Sequence, residues 1–165
     1  MCNNYYRFCV PQCYYPPFVA TGPTGIGVLG YGGAYNAAGA VVTTAATPVQ
    51  VPLDTAMPGL GVVAAANTLT LASAGTYLVN YSVNGTVVVA DTITAGVRLN
   101  SGVFIGDLSS AETAAAGGEI AISGSSIVTL PAGSVLDLAI SDTNAPNALI
   151  IPAGSGTMFS VVRLA

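Results

Sequence analysis

The sequence predicts an all-β sandwich or jelly-roll head carried on a short N-terminal arm, and three observations predict it. From about residue 34 onward, apolar and polar residues alternate with period two, the mark of half-buried strands. Turn-forming residues punctuate the same region at short intervals, as they do in sandwiches and barrels. The one stretch that could pass for helix, 111–116, is too short to organise a fold.

The arm comes first. Residues 1–21 hold six aromatics, Tyr5, Tyr6, Phe8, Tyr14, Tyr15 and Phe18, together with Pro11, Pro16 and Pro17. Proline fixes φ and disfavours helix in the residue before it, so the arm reads as extended or polyproline-like. At about 3.1 Å per residue it could reach roughly 65 Å. Disordered linkers are poor in aromatics, so six of them predict a surface on which the arm docks. The arm also holds all three cysteines, Cys2, Cys9 and Cys13. An odd number leaves at least one thiol free or bonded to another chain. Their spacing fits no common zinc finger, and no histidine exists to complete such a site. Idle thiols on a loose tail are the plain alternative, and interchain disulfides are the reading adopted.

Residues 22–33 follow as a glycine-rich hinge that opens with two collagen-like triplets, Gly22-Pro23-Thr24 and Gly25-Ile26-Gly27. Two triplets cannot hold a triple helix, so a flexible hinge and a collagen-like remnant both fit the stretch.

The head spans 34–165. In it Tyr77, Val79, Tyr81 and Val83 share one strand face, with Leu78, Asn80 and Ser82 on the other. Leu136, Leu138 and Ile140 alternate likewise with Val135, Asp137 and Ala139. Turn signals fall at Ala74-Gly75, Asn84-Gly85, Asn100-Ser101-Gly102, Gly117-Gly118, Gly124, Pro131-Ala132-Gly133 and Asn144-Ala145-Pro146. About eight to ten short strands fit between such turns. They are expected near 34–44, 48–53, 68–71, 76–84, 86–100, 103–110, 119–130, 135–142, 147–151 and 156–164.

Composition then excludes several classes of function. The charged residues are 3 Lys+Arg and 7 Asp+Glu in 165, with no Lys, no His and no Trp, for a net charge of −4. A quarter charged is ordinary. So few cations cannot neutralise a phosphate backbone, which argues against nucleic acid as a partner. No stretch supplies the roughly 20 apolar residues of a spanning helix, and no membrane partner is expected. The N-terminus lacks the basic and apolar regions of a signal peptide, so general export is not expected either. Acid–base or nucleophilic catalysis needs a group tuned near neutral pH, and without His or Lys an enzyme is not expected. No cofactor is expected, because the Gly25/Gly27 and Gly154/Gly156 pairs precede no helix that could cradle phosphate. Asp91, Asp107, Glu112, Glu119, Asp137 and Asp142 lack the spacing of an EF-hand loop, and they read as solubilising loop charges rather than a metal site. Asn80-Tyr81-Ser82 and Asn84-Gly85-Thr86 match a glycosylation acceptor but read better as a strand and a hairpin turn.

Three segments resemble a known superfamily. Ala74-Gly75-Thr76-Tyr77-Leu78-Val79-Asn80-Tyr81-Ser82-Val83 resembles the central strand of the tumour necrosis factor and complement globular heads. Leu130-Pro131-Ala132-Gly133-Ser134-Val135-Leu136-Asp137-Leu138 is similar to a later strand, and Gly156-Thr157-Met158-Phe159-Ser160-Val161-Val162-Arg163-Leu164 to the closing one. Within that superfamily the head resembles the BclA-type C-terminal domain of spore exosporium glycoproteins, over about 34–165. The resemblance implies a ten-stranded jelly roll forming a homotrimer, with Tyr and Phe of the strand faces packed at the three-fold axis. The chain departs from the subgroup in its shrunken stalk and its Cys- and Tyr-rich arm, and so looks like a subunit of endospore appendage fibres of bacilli. That likeness implies trimers stacked head-to-tail into a filament through arms and disulfides. It also implies an exosporium anchor protein and a tip protein as further partners, and a spore-surface location after synthesis in the mother-cell cytoplasm. An adhesive or ligand-binding trimeric head, anchored on the exosporium by its arm, is the alternative.

Overall fold

The computed structural model describes residues 29–144, 146–154 and 156–165. The cysteines, the arm aromatics and the collagen-like triplets therefore lie outside the described residues. Within them the chain forms thirteen strands and no helix. These are β1 (Gly30–Tyr35), β2 (Ala40–Thr44), β3 (Val49–Gln50), β4 (Thr55–Ala56), β5 (Val62–Ala65), β6 (Thr68–Leu71) and β7 (Gly75–Val87). They continue as β8 (Asp91–Leu99), β9 (Phe104–Ala114), β10 (Glu119–Leu130), β11 (Val135–Asp142), β12 (Asn147–Ile151) and β13 (Met158–Arg163). The expected all-β jelly roll is there, with thirteen strands rather than ten.

Two antiparallel sheets face each other. The first is organised by β7, whose alternation is the clearest in the chain. One edge of β7 pairs with β10 from Gly75↔Leu130 to Thr86↔Glu119. Its other edge pairs with β13 along 77–82 and then with β12 at Thr86 and Val87. β1 joins β13, β4 joins β1, and β2 joins β12. The second sheet runs β5-β6-β11-β8-β9, with β3 beside β11. The side chains predicted to share one face of β7, Tyr77, Val79, Tyr81 and Val83, are buried between the sheets with Leu136, Leu138, Ile140, Ile93 and Phe159. Burial of such a contiguous apolar set is what holds two sheets face to face.

Several expectations need correction. Asn84-Gly85 is not a hairpin turn: both residues lie inside β7, and the chain turns at 88–90 instead. Glycine serves there because β12 comes close, so that a Cβ at position 85 would stand 2.8 Å from the carbonyl oxygen of Ile150. The expected strand 34–44 is two strands. Asn36 separates them by accepting the amide of Gly39 on Oδ1 (2.6 Å) and donating from Nδ2 to the Pro52 carbonyl (2.9 Å). The first of these strands reaches back to Gly30, into the glycine-rich stretch. β5 was not expected. It pairs with β6 through a two-residue turn, Ala66-Asn67, in which both residues have positive φ (49° and 63°), the geometry favoured by tight hairpins. The stretch from 111 that could pass for helix is strand through Ala114.

Candidate assembly surface

With no catalytic group expected, the features to build up are the faces that the two sheets turn outward. In the first sheet the outward residues of β7 are Thr76, Leu78, Asn80, Ser82, Asn84 and Thr86, all partly exposed. Strand register aligns them with neighbours into rows. Tyr31, Val162, Leu78 and Ile127 stand in one line across β1, β13, β7 and β10. Strands lie about 4.8 Å apart, so this apolar row is roughly 14 Å long. Leu60 lengthens it, because its backbone exchanges both hydrogen bonds with Tyr31 (2.8 and 2.9 Å). Ile127 is 61 % exposed and Tyr31 39 %.

The next row is Gly33, Ser160, Asn80 and Ser125, in which the Ser125 hydroxyl donates to Asn80 Oδ1 (2.7 Å). Beyond it come Tyr35, Met158, Ser82 and Ser123. From Thr76 to Asn84 no charged side chain interrupts the face among the described residues. Charge returns at the far end, where Glu112 and Glu119 line an open groove of about 260 Å³ with Asn84, Thr86 and Pro152. One Glu112 oxygen is already spent there, accepting the Ala121 amide of β10 (2.8 Å).

The second sheet turns out a different face. Asp137 and Arg98 are cross-strand partners on β11 and β8. The guanidinium holds the carboxylate through two bonds (3.1 and 2.5 Å), donates to the Pro48 carbonyl (2.8 Å), and is joined by Gln50 (3.3 Å to Asp137). Phe104 lies against Gly96 alongside. β11 is therefore covered on both sides rather than half-buried as its alternation predicts.

The carboxylates do not behave as a class. Asp107 and Glu119 are exposed, as expected of solubilising charges. Asp91, Asp137 and Asp142 are buried, which corrects that expectation for all three. The described residues contain no group of three or more His, Cys, Asp or Glu placed to hold a metal ion. Asp54 is fully exposed and has its carboxyl held below the usual range by the Ala37 amide, then the Thr55 hydroxyl and the Ala38 amide.

Three of the strand aromatics expected to pack at a three-fold axis are not on the surface. Tyr77, Tyr81 and Phe159 point into the protomer's own core. Tyr81 donates to the Ala95 carbonyl (3.1 Å), and burial pushes its phenol up. The outward aromatics are Tyr31 and Tyr35, which the sequence reading did not assign to a surface. Ile127, Val162 and Met158 were missed as well, although the alternation that put Tyr77 and Tyr81 inside places Leu78 and its row outside. The signal was present, but only strand register shows that the apolar members align.

The family model that matches the chain is the BclA C-terminal domain, over residues 32–165. Among solved structures, Eiger TNF from S. frugiperda is similar with a TM-score of 0.59 and 16 % identity, covering 82 % of this chain and 92 % of that one. Murine APRIL at pH 5.0 is similar with a TM-score of 0.60 and 15 % identity, covering 82 % and 98 %. Identities this low show a shared fold. No curated protein matches the chain.

Proposed function

The chain belongs to the BclA C-terminal domain family, and from that premise we propose that it is a non-enzymatic structural subunit of the spore surface whose heads associate as homotrimers. The observation that carries this reading is the outward face of the first sheet from Thr76 to Asn84, free of charge among the described residues, with its row Leu60, Tyr31, Val162, Leu78 and Ile127. Contiguous exposed apolar surface, emptied of charge, marks a place where another protein packs. A second copy of the same head fits it best, since so neutral a surface offers a charged partner nothing to pair with.

The arm, 1–21, extends the proposal from trimer to fibre. Tyr5, Tyr6, Phe8, Tyr14, Tyr15 and Phe18 would bury against an adjacent trimer while Cys2, Cys9 and Cys13 cross-link chains. Residues 22–33 would connect arm to head. A head-to-tail contact does not close on itself, so it propagates into a filament, and three arms per junction act together. The cysteine chemistry of the arm and the chain's scarcity of charge support this, as does the exosporium family of the head. An anchor protein in the exosporium and a tip protein would bound such a fibre.

Negative-stain electron microscopy of the full chain, with and without reductant, tests the proposal. Filaments that fall apart under reductant are the expected result. Discrete trimers in both conditions would remove the fibre and leave an anchored adhesive head. A monomer in both would remove the trimer as well.

A further inference from the structure

One end of the sandwich carries polar side chains on its inside. Thr44, Asp91, Asp142 and Asn147 are all buried there, where β7 turns into β8 and β11 leads to β12. Asp142 stands opposite Ile93 in the β11–β8 ladder, so Asp91, two residues away on the same face of β8, is its diagonal neighbour. Diagonal pairs have Cα atoms about 7–8 Å apart and side chains that can come closer.

Each carboxylate is half used. Asp91 Oδ1 accepts the Thr92 amide (2.6 Å), the Thr143 hydroxyl (3.0 Å) and the Asn144 side-chain amide (2.9 Å). Asp142 Oδ2 accepts the Thr44 hydroxyl. The remaining oxygens, Asp91 Oδ2 and Asp142 Oδ1, are buried and have no hydrogen-bond partner. The two residues are only 4 % and 5 % exposed. Neither described arginine serves them: Arg98 is engaged by Asp137 and Pro48, and Arg163 donates to the Ala165 carbonyl.

Each of these two neighbouring carboxylates has one buried oxygen without a hydrogen-bond partner and, among the described residues, no cationic side chain beside it, and a bound cation would satisfy both oxygens at once. The donors are hard oxygens, and the described residues include no thiolate or imidazole to select a softer metal. Calcium takes six to eight oxygens at about 2.3–2.6 Å with tolerant geometry, so one ion can bridge two carboxylate oxygens up to roughly 5 Å apart. We propose that Asp91 Oδ2 and Asp142 Oδ1 ligate a calcium ion that locks β8 to β11 at this end of the head. Water and nearby carbonyl or hydroxyl oxygens, that of Thr44 included, would complete its shell.

The test uses the full chain, stripped with EGTA and dialysed, then titrated with calcium chloride. Equilibrium dialysis should give one calcium per chain. Melting should rise by about 5–10 °C when calcium stands a hundredfold above its Kd. Asp91→Asn and Asp142→Asn should each lose the ion and the melting response, whereas Asp107→Asn, at an exposed position, should keep both. If the first two variants fail to fold, hydrogen exchange of the wild type decides: calcium should slow the amides of 91–93 and 141–144. The proposal is overturned by no binding at about 1 mM calcium with unchanged melting in EGTA. Binding that survives both substitutions, or protection confined to other segments, overturns it too.

Discussion

The two sheets of this head treat their outward faces in opposite ways. The second sheet seals the middle of its own: Arg98 reaches across to Asp137, Gln50 joins them, and Phe104 lies against Gly96. The first sheet does none of this. Its outward rows end in Ile127, Leu78, Val162 and Tyr31, with serine and asparagine between them and no charge until the acidic groove. A chain with so few ionic groups placed a buried ion pair where a face is finished within the protomer. It left charge off the face proposed to be finished by another copy. Outward burial in one sheet is a matter of folding, and in the other a matter of assembly, so substitutions on the two faces should fail in different assays.

The largest effect is expected at the sealed face. Asp137→Ala leaves the Arg98 guanidinium buried beside a single carbonyl. Breaking a buried pair from one side costs about 3–5 kcal/mol. Urea unfolding of the head should register that loss, with faster hydrogen exchange along 48–51. The paired replacement Arg98→Met with Asp137→Leu should recover most of it, since apolar side chains of similar size can replace a buried ion pair. A double variant no more stable than Asp137→Ala would mean that the pair organises the 48–51 segment in a way packing cannot replace.

A smaller loss is expected on the inward side of the first sheet. A Cβ at Gly124 would stand 2.5 Å from the ring of buried Tyr81. Gly124→Ala should therefore cost about 1–3 kcal/mol by overpacking. A neutral result in the same urea experiment would mean that this sheet is loosely packed inside as well as open outside, and the contrast between the sheets would lie in rigidity.

How much of this could be read in the sequence depended on how far each signal reaches along the chain. Strands 68–71, 119–130, 135–142 and 147–151 fall where alternation and flanking turns put them. Those cues are local. β3 falls inside the strand expected at 48–53 but keeps only two residues of it, while β4 and β5 were not expected: β4 pairs with distant β1, and the four residues of β5, turned back on β6 at Ala66-Asn67, leave period two little room to show. Asn84-Gly85 misled because a dipeptide that favours a turn also suits a strand approached closely by another. The burial of Asp137 was not legible, because its partner Arg98 is 39 residues away. The assembly face was half legible: alternation put Leu78 on an outward face, but only register assembles Tyr31, Val162, Leu78 and Ile127 into a row. The proposed arm contacts lie outside the described residues, and microscopy of the fibre is their test.

At the open face the expected effect on folding is slight and the effect on association is large. Ile127→Asp places a charge at the β10 end of the apolar row, at an exposed position. It should change unfolding of the isolated head by less than about 0.5 kcal/mol. Light scattering should nevertheless show the trimer mass replaced by that of the monomer, since an unpaired carboxylate would have to be desolvated at each contact. The same substitution at Val103, exposed at 85 % and away from the row, should leave the mass unchanged. If Val103→Asp disrupts assembly and Ile127→Asp does not, the interface lies on the second sheet and the comparison is reversed.

The smallest expected effect lies at the seam between the sheets, where Asp54 holds the β1–β2 turn through the Ala37 and Ala38 amides (2.8 and 2.9 Å). Those bonds, the Ala37 amide foremost, favour the ionised carboxylate and hold its pKa below the ordinary value of 3.8. A carboxyl whose folded pKa is depressed stabilises the fold at pH above its unfolded value, and it loses that contribution as pH falls through the folded one. Asp54→Ala should therefore melt slightly below the wild type at about pH 6, and the gap should close as the pH falls below 3.8. The side chain is fully exposed, so solvent screens it and the gap is expected to be small. Calorimetry across that range separates two roles for the seam. A gap that closes in acid belongs to the carboxylate; a gap that persists belongs to the geometry of the turn, which the uncharged side chain would hold equally well.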